Sequence, residues 1–262
     1  MTSSPDPHGA PGAPSAQNVA IAGVAELARA RNEVINIVQW LARIACSYVT
    51  NGVPERRTDL DFRAEDAAFV TKQFAEGVAL EMRLPDLHLQ FLQNGKPVPH
   101  IFDPQERSPA EAEAWILVEL LHRGVDRGRF TKKLPYAVPG LLIGDAEDYA
   151  PQACGEGLAQ LTTLFVDAAT VLKEAARACG ADKPRVIGLP QTFDLVVAPS
   201  PDTAPIALGF SLSDKQNPQP HFYHATVAKP ASAERAVISA SELLAQGDPA
   251  RAAAMLLKIV AD

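Results

Sequence analysis

The chain has 262 residues, 47% of them hydrophobic, but 44 are alanines, so only about 30% of positions carry an apolar side chain larger than a methyl group. A chain this long buries roughly three quarters of its unfolded surface, and much of that interior has to be alanine-mediated helix contact. Its 24 Lys and Arg against 31 Asp and Glu give a net charge of −7 without a phosphate-tracking basic cluster, and no apolar run reaches the roughly 18 residues of a membrane span, so neither nucleic acid nor membrane is an expected partner.

In chain order, residues 1–18 carry Pro5, Pro7, Pro11 and Pro14 among Gly, Ser and Ala, lack the pattern of a secretory signal, and read as a disordered tail. From Val19 to Tyr48, Leu27, Val34, Val38, Leu41, Ala45 and Tyr48 recur at helical spacing, and Ile37, Trp40 and Ile44 widen the stripe, so this helix is expected to be buried on more than one side. Asn51-Gly52 and Pro54 end it. Residues 55–76 show no clear period. Leu87, Leu89 and Phe91 alternate with polar residues, and Asn94-Gly95 leads into Val98 to Phe102, a hairpin whose second strand belongs at a sheet edge because Pro97 and Pro99 cannot donate to a ladder.

Ser108-Pro109-Ala110-Glu111 is a capping box opening a helix that His122-Arg123-Gly124 closes. Residues 125–152 form a long, proline-bearing connection or hinge with one short strand near Phe130. A second long helix is expected from Gly157 to Cys179, capped by Gly180. Beyond it the period falls from about 3.6 to 2: Phe193, Leu195 and Val197 form one strand, Ile206, Leu208, Phe210 and Leu212 the next, and His221 to Val227 a third, joined by connections short enough to favour antiparallel neighbours. Asp248-Pro249 opens a last helix. The fold class is therefore α+β, a mostly antiparallel sheet with long helices packed on one face, as one domain over residues 19–262. No glycine-rich loop follows a strand, which argues against a dinucleotide or P-loop fold. Cys46, Cys154 and Cys179 are widely spaced and odd in number, so reduced core thiols in a cytoplasmic protein are expected.

The pattern Ile206, Gly209-Phe210, Asp214, Pro218, Pro220, Phe222-Tyr223 resembles an uncharacterised bacterial family known only as a domain of unknown function. Phe193-Asp194-Leu195 and Val171-Leu172-Lys173-Glu174 resemble the strand and helix that precede this pattern in the family. The specific part covers about 55 residues. Where the family tends to place large aromatics, around Val186 to Leu189 and at Ser211, this chain has aliphatic or small residues. The resemblance implies a shared fold and no particular activity.

Candidate chemistry centres on Asp194, which alternation places on the face opposite Phe193, Leu195 and Val197, where a carboxylate needs solvent or a partner. Ala207, Gly209 and Ser211 make the adjacent strand face nearly bare, and a pocket there would also draw on Asp214, Tyr223 and Arg129. Each has a plainer reading: Asp214 shaping a turn, and Arg129 with Arg127, Lys132 and Lys133 forming a solvated edge strand. His221 and His224 face opposite sides of their strand and cannot share a metal. His88 and His100, on paired hairpin strands, lack an evident carboxylate, so no metal and no cofactor is expected.

Three functional readings follow. The first is a small-ligand or partner-binding protein with a cleft beside the sheet. The second is a hydrolase-type enzyme using Asp194 with His221 or His224 as an acid-base pair, which requires carboxylate and imidazole within about 4 Å in a concave pocket. The third is a homo-oligomer subunit in which the alanine-rich first and last helices bury against a second copy.

Overall fold

A computed structural model describes residues 16–50, 56–197, 206–226 and 236–261. The expected tail, through residue 15, and the Asn51 to Pro54 helix stop lie outside them; the first helix, α1, already begins at Ala16 and runs to Tyr48. Then come β1 (Leu60–Arg63), β2 (Ala68–Val70), β3 (Val78–Arg83), β4 (Leu89–Gln93), β5 (Lys96–Phe102) and α2 (Pro109–His122). The second half repeats this order with α3 (Gly155–Ala178), β6 (Val186–Leu189), β7 (Asp194–Val197), β8 (Ile206–Ser211), β9 (His221–Thr226), β10 (Ala236–Ser239), α4 (Ala240–Leu244) and α5 (Pro249–Ala261). The fold is α+β, with one ten-stranded antiparallel sheet in the order β10-β9-β8-β7-β6-β1-β2-β3-β4-β5. Among the described residues no helix is long and apolar enough to cross a membrane.

The two five-stranded meanders meet at their first strands, through the pairs Leu60↔Gly188 and Asp61↔Ile187. In each half a four-residue turn links first strand to second, and each turn ends on a non-glycine residue of positive φ, Ala67 (48°) and Phe193 (61°). Superposing these hairpins residue for residue makes Asp61 the counterpart of Ile187, its own partner across the junction. The halves are thus joined about a local two-fold axis through that pair.

The helices cover one face. Phe165 of α3 touches Phe62, Phe69, Phe193 and Phe210 at ring-centre distances of 4.7 to 5.9 Å, so the few aromatics converge below the junction of the halves. Around them the contacts are smaller: α1 and α5 both pack against α3, and α1 approaches so closely at Gly157 that a β-carbon there would sit 2.4 Å from the Glu26 carbonyl oxygen. Composition implies alanine-mediated helix contact, and the closest approach is made at a glycine instead, with Ala30 beside it.

Several expectations need correcting. Residues 55–76, which show no clear period, contain β1 and β2, strands too short to display one, and β3, β6 and β10 were not foreseen either. The expected strand near Phe130 is a 3-10 turn, Arg127–Arg129, and the connection from 125 to 152 lies along α1 instead of joining the sheet. Tyr48 Oη donates to the Asp126 carbonyl, Thr131 N to Ser47 Oγ, Tyr136 Oη to Gln39 Oε1, Leu142 N to Asn36 Oδ1 and Ala150 N to Glu33 Oε2, at 2.7 to 3.2 Å. The connection therefore runs antiparallel to α1 as a strap, its polar backbone satisfied by side chains of the helix. The edge-strand reading of Arg127, Arg129, Lys132 and Lys133 fails for the same reason, and Lys132 pairs with Glu113 at 2.9 Å.

Candidate functional site

The face of β7, β8 and β9 turned away from the helices gathers most of the anticipated site residues. Gly209 pairs with Tyr223 and Ser211 with His221, and Asp194 opens β7 beside them. The Tyr223 ring lies across Gly209, where a β-carbon would come within 2.3 Å of its Cζ. Tyr223 Oη donates to Asp194 Oδ2 at 3.2 Å, and Asp194 is only 7% exposed. The space left by Gly209 is thus filled by the Tyr223 ring of the neighbouring strand.

Asp214 belongs to the same region and performs the plainer role. Its carboxylate accepts from the backbone N–H of Gln216 and of Asn217, each at 2.7 Å, and shapes the β8–β9 loop. Burial works to raise its pKa, but the Asn217 and Gln216 N–H groups and the nearby His221 outweigh it and hold it below the ordinary value. His221 Nδ1 faces the Gln219 carbonyl at 2.8 Å, and Nε2 lies 3.3 Å from the Asp214 carboxylate without a hydrogen bond among the described residues. His224 points to the other side of β9, opposite Leu208, with Nε2 buried and without a hydrogen-bond partner among the described residues. Arg129 stands apart from this region, on the 3-10 turn and over the Tyr48 ring at 5.6 Å.

The opening lies one turn away. A cleft of about 660 Å³ runs between α1, the strap at 138–150 and the β6–β7 turn, lined by Arg31, Asn32, Glu33, Glu147 and Gln191 among others. It is connected to Asp194 through Arg31, whose guanidinium donates to the Thr192 carbonyl at 3.3 Å and feels the Asp194 charge. Burial lowers the Arg31 pKa, Asp194 acts against that, and Arg31 Nε has no hydrogen-bond partner among the described residues. Glu33 is shifted the other way: burial raises its carboxyl pKa, the Ala150 N–H bond opposes this, and the Glu147 charge adds to the rise. A concave site with opposite charges that are each incompletely compensated has the chemistry of a polar-ligand site.

Comparison of the chain with protein-family models, curated proteins and solved structures finds no match.

Sequence reasoning missed Arg31 and Glu33, although a signal was present. Asn32, Asn36, Gln39 and Arg43 recur at spacings of four, three and four inside an otherwise apolar helix, which puts a polar stripe on one face. Gln39 is fully buried and Arg43 nearly so. A buried polar stripe has to be met by something polar, here the strap, and next to the strap lies the cleft. The expected pairing of His88 with His100 also needs correction. Leu89 pairs with Phe102, which sets His88 beside Asp86 and Asp103, at 3.3 and 3.7 Å. His100 turns instead toward α2, and His100, Glu119 and His122 are the one group of described residues with donor atoms close enough to share a metal ion.

Proposed function

We propose that the protein binds a small molecule carrying both an anionic and a cationic group in the cleft between α1, the strap and the β6–β7 turn. The observation that carries this reading is the presence in one cleft of an under-bonded guanidinium, Arg31, and a carboxyl group, Glu33, whose ionised form is disfavoured by burial and by Glu147. A ligand carboxylate or phosphate docking on Arg31 supplies an acceptor that its Nε lacks among the described residues. A ligand ammonium beside Glu33 offsets the burial and the Glu147 charge that disfavour its ionised form. Neither requirement is met by a purely apolar or singly charged molecule, so the ligand class is zwitterionic, of the size of an amino acid or a short peptide. The Asp194 carboxylate, which accepts from Tyr223 Oη, acts through its charge on Arg31.

The test is a titration of the protein with free amino acids and dipeptides, followed by backbone amide NMR shifts. Zwitterions are expected to shift resonances of residues 29–36 and 138–150, and the same compounds capped at either end are expected to lose that effect. Arg31→Ala and Glu33→Gln should each weaken binding about 10- to 100-fold, the loss of one charge-assisted hydrogen bond. Equal binding of capped and free ligands, or no change in either variant, refutes the reading.

A further inference from the structure

We infer that His100, Glu119 and His122 form a binding site for one divalent transition-metal ion, with zinc as the best fit, that clips the edge strand β5 to α2. Glu119 and His122 stand one turn apart on α2 and so share a face, while His100 reaches them from β5. Only Glu119 is fixed. It is 3% exposed, and Arg123 Nη1 holds both its Oε2 and its backbone carbonyl at 2.7 Å. Arg123 is in turn seated over the Phe91 ring, 4.4 Å from its centre. This anchoring leaves Oε1 facing the two imidazoles, with His100 Nδ1 at 3.3 Å and His122 Nδ1 at 3.5 Å.

Those distances, the first of which is also a hydrogen bond, lie nearer a tetrahedral than an octahedral edge. With zinc–ligand bonds of about 2.0–2.1 Å, neighbouring ligands of a tetrahedron stand about 3.3–3.4 Å apart, whereas the edge of an octahedron at the same bond length is about 2.9 Å. The two Oε1–Nδ1 separations match the tetrahedral edge, and all three donors already lie within 4.8 Å of one another. The third edge closes by movement of the imidazoles, which are free to move because the His100 and His122 side chains are 69% and 56% exposed. Two nitrogens and one carboxylate oxygen with the fourth position open to solvent suit zinc, cobalt or nickel, and exclude magnesium, which takes oxygen ligands. Arg123 is the oriented outer partner that such a carboxylate ligand needs, and its charge also moderates the affinity.

The site has a structural use in this fold. β5 ends the sheet, carries Pro97 and Pro99, and shifts register against β4 between Gln90 and Leu92, so its outer side is held by few backbone bonds. An ion shared between β5 and α2 closes that edge.

The test is zinc titration by calorimetry under reducing conditions, comparing the wild-type chain with His100→Ala/His122→Ala; both histidines are exposed, so the double variant should fold. One zinc per chain is expected in the wild type, with a rise in melting temperature, no effect of magnesium, and a loss of affinity of about 100-fold or more in the double variant. Cobalt should give the intense visible bands of a tetrahedral site in the wild type alone. A wild type that takes no zinc, or a double variant that binds it as tightly as the wild type does, overturns the inference. The first of these results would mean that the two imidazoles only hydrogen-bond to Glu119.

Discussion

Replacing Gly209 with alanine tests how the sheet face beside Asp194 is built. The new methyl group would lie 2.3 Å from Tyr223 Cζ and 2.5 Å from its Oη, so the ring must leave. Forcing one methyl group into a filled site costs about 1–3 kcal/mol. Moving the ring also breaks the 3.2 Å bond from Tyr223 Oη to the buried Asp194 carboxylate, and a hydrogen bond to a charged group contributes about 1.5–3 kcal/mol. The sum is about 3–5 kcal/mol, or a fall of about 10 °C in melting temperature for a chain of this size. Urea unfolding at equilibrium measures it. The decisive comparison is the double-mutant cycle with Tyr223→Ala, because removing the ring vacates the space the methyl group needs. In that background Gly209→Ala should cost less than about 0.5 kcal/mol, and the two substitutions should be non-additive by about 3 kcal/mol. A Gly209→Ala effect below about 0.5 kcal/mol, or additivity within that margin, would show that the ring does not occupy the glycine's space.

Three further outcomes are expected. Tyr136→Phe removes the hydroxyl that bonds Gln39 Oε1, and because Gln39 is fully buried the loss should be about 1–3 kcal/mol, with faster limited proteolysis between residues 130 and 145. Glu33 has a raised carboxyl pKa in the folded chain, so its contribution favours the folded state below the unfolded pKa of about 4.3 and fades as pH rises through the folded value; Glu33→Gln should therefore be neutral or stabilising at pH 7 and should flatten the stability profile above about pH 4.3, as measured by melting temperature against pH. Asp214 has a lowered pKa, so its stabilisation is present above about pH 3.9 and is lost as pH falls through the folded value; Asp214→Ala should cost about 1 kcal/mol at neutral pH and less in acid.

The parts of the fold that were legible in the sequence are those specified within a few residues. Ser108 with Glu111 makes the capping box that opens α2, Asn94-Gly95 turns β4 into β5, and Pro97 and Pro99 put β5 at the edge. Strands β1, β2, β6 and β10 have three or four residues each, too few for alternation to be distinguished from chance. Their turns also lack the usual residues, since Ala67 and Phe193 adopt positive φ where glycine or asparagine is the ordinary signal. Phe193 tolerates this because its ring stacks on Phe165 at 4.7 Å, a contact made only once the fold exists. The site divides in the same manner. Alternation assigns Asp194, Gly209, Ser211 and Tyr223 to one sheet face, which the register bears out, but it carries no information on whether a face is filled. Glu119 and His122 went unremarked although Glu-x-x-His inside a predicted helix places both on one side; the missing element was His100, which only the β5–α2 connection brings near.

The junction at β1 and β6 bears on how the chain folds. Of the nine strand pairings among the described residues, eight join strands adjacent in sequence, and only β1 with β6 spans the chain. Hairpins between neighbours form in microseconds, whereas closing a loop from Leu60 to Gly188 costs about 4 kcal/mol of chain entropy. Each meander can therefore assemble early on its own helix, and the rate is set by the encounter of the two halves, when α1 meets α3 and the phenylalanines around Phe165 come together. Substitutions at Leu60, Phe62 or Phe165 should slow folding, whereas those within either hairpin ladder should mainly accelerate unfolding.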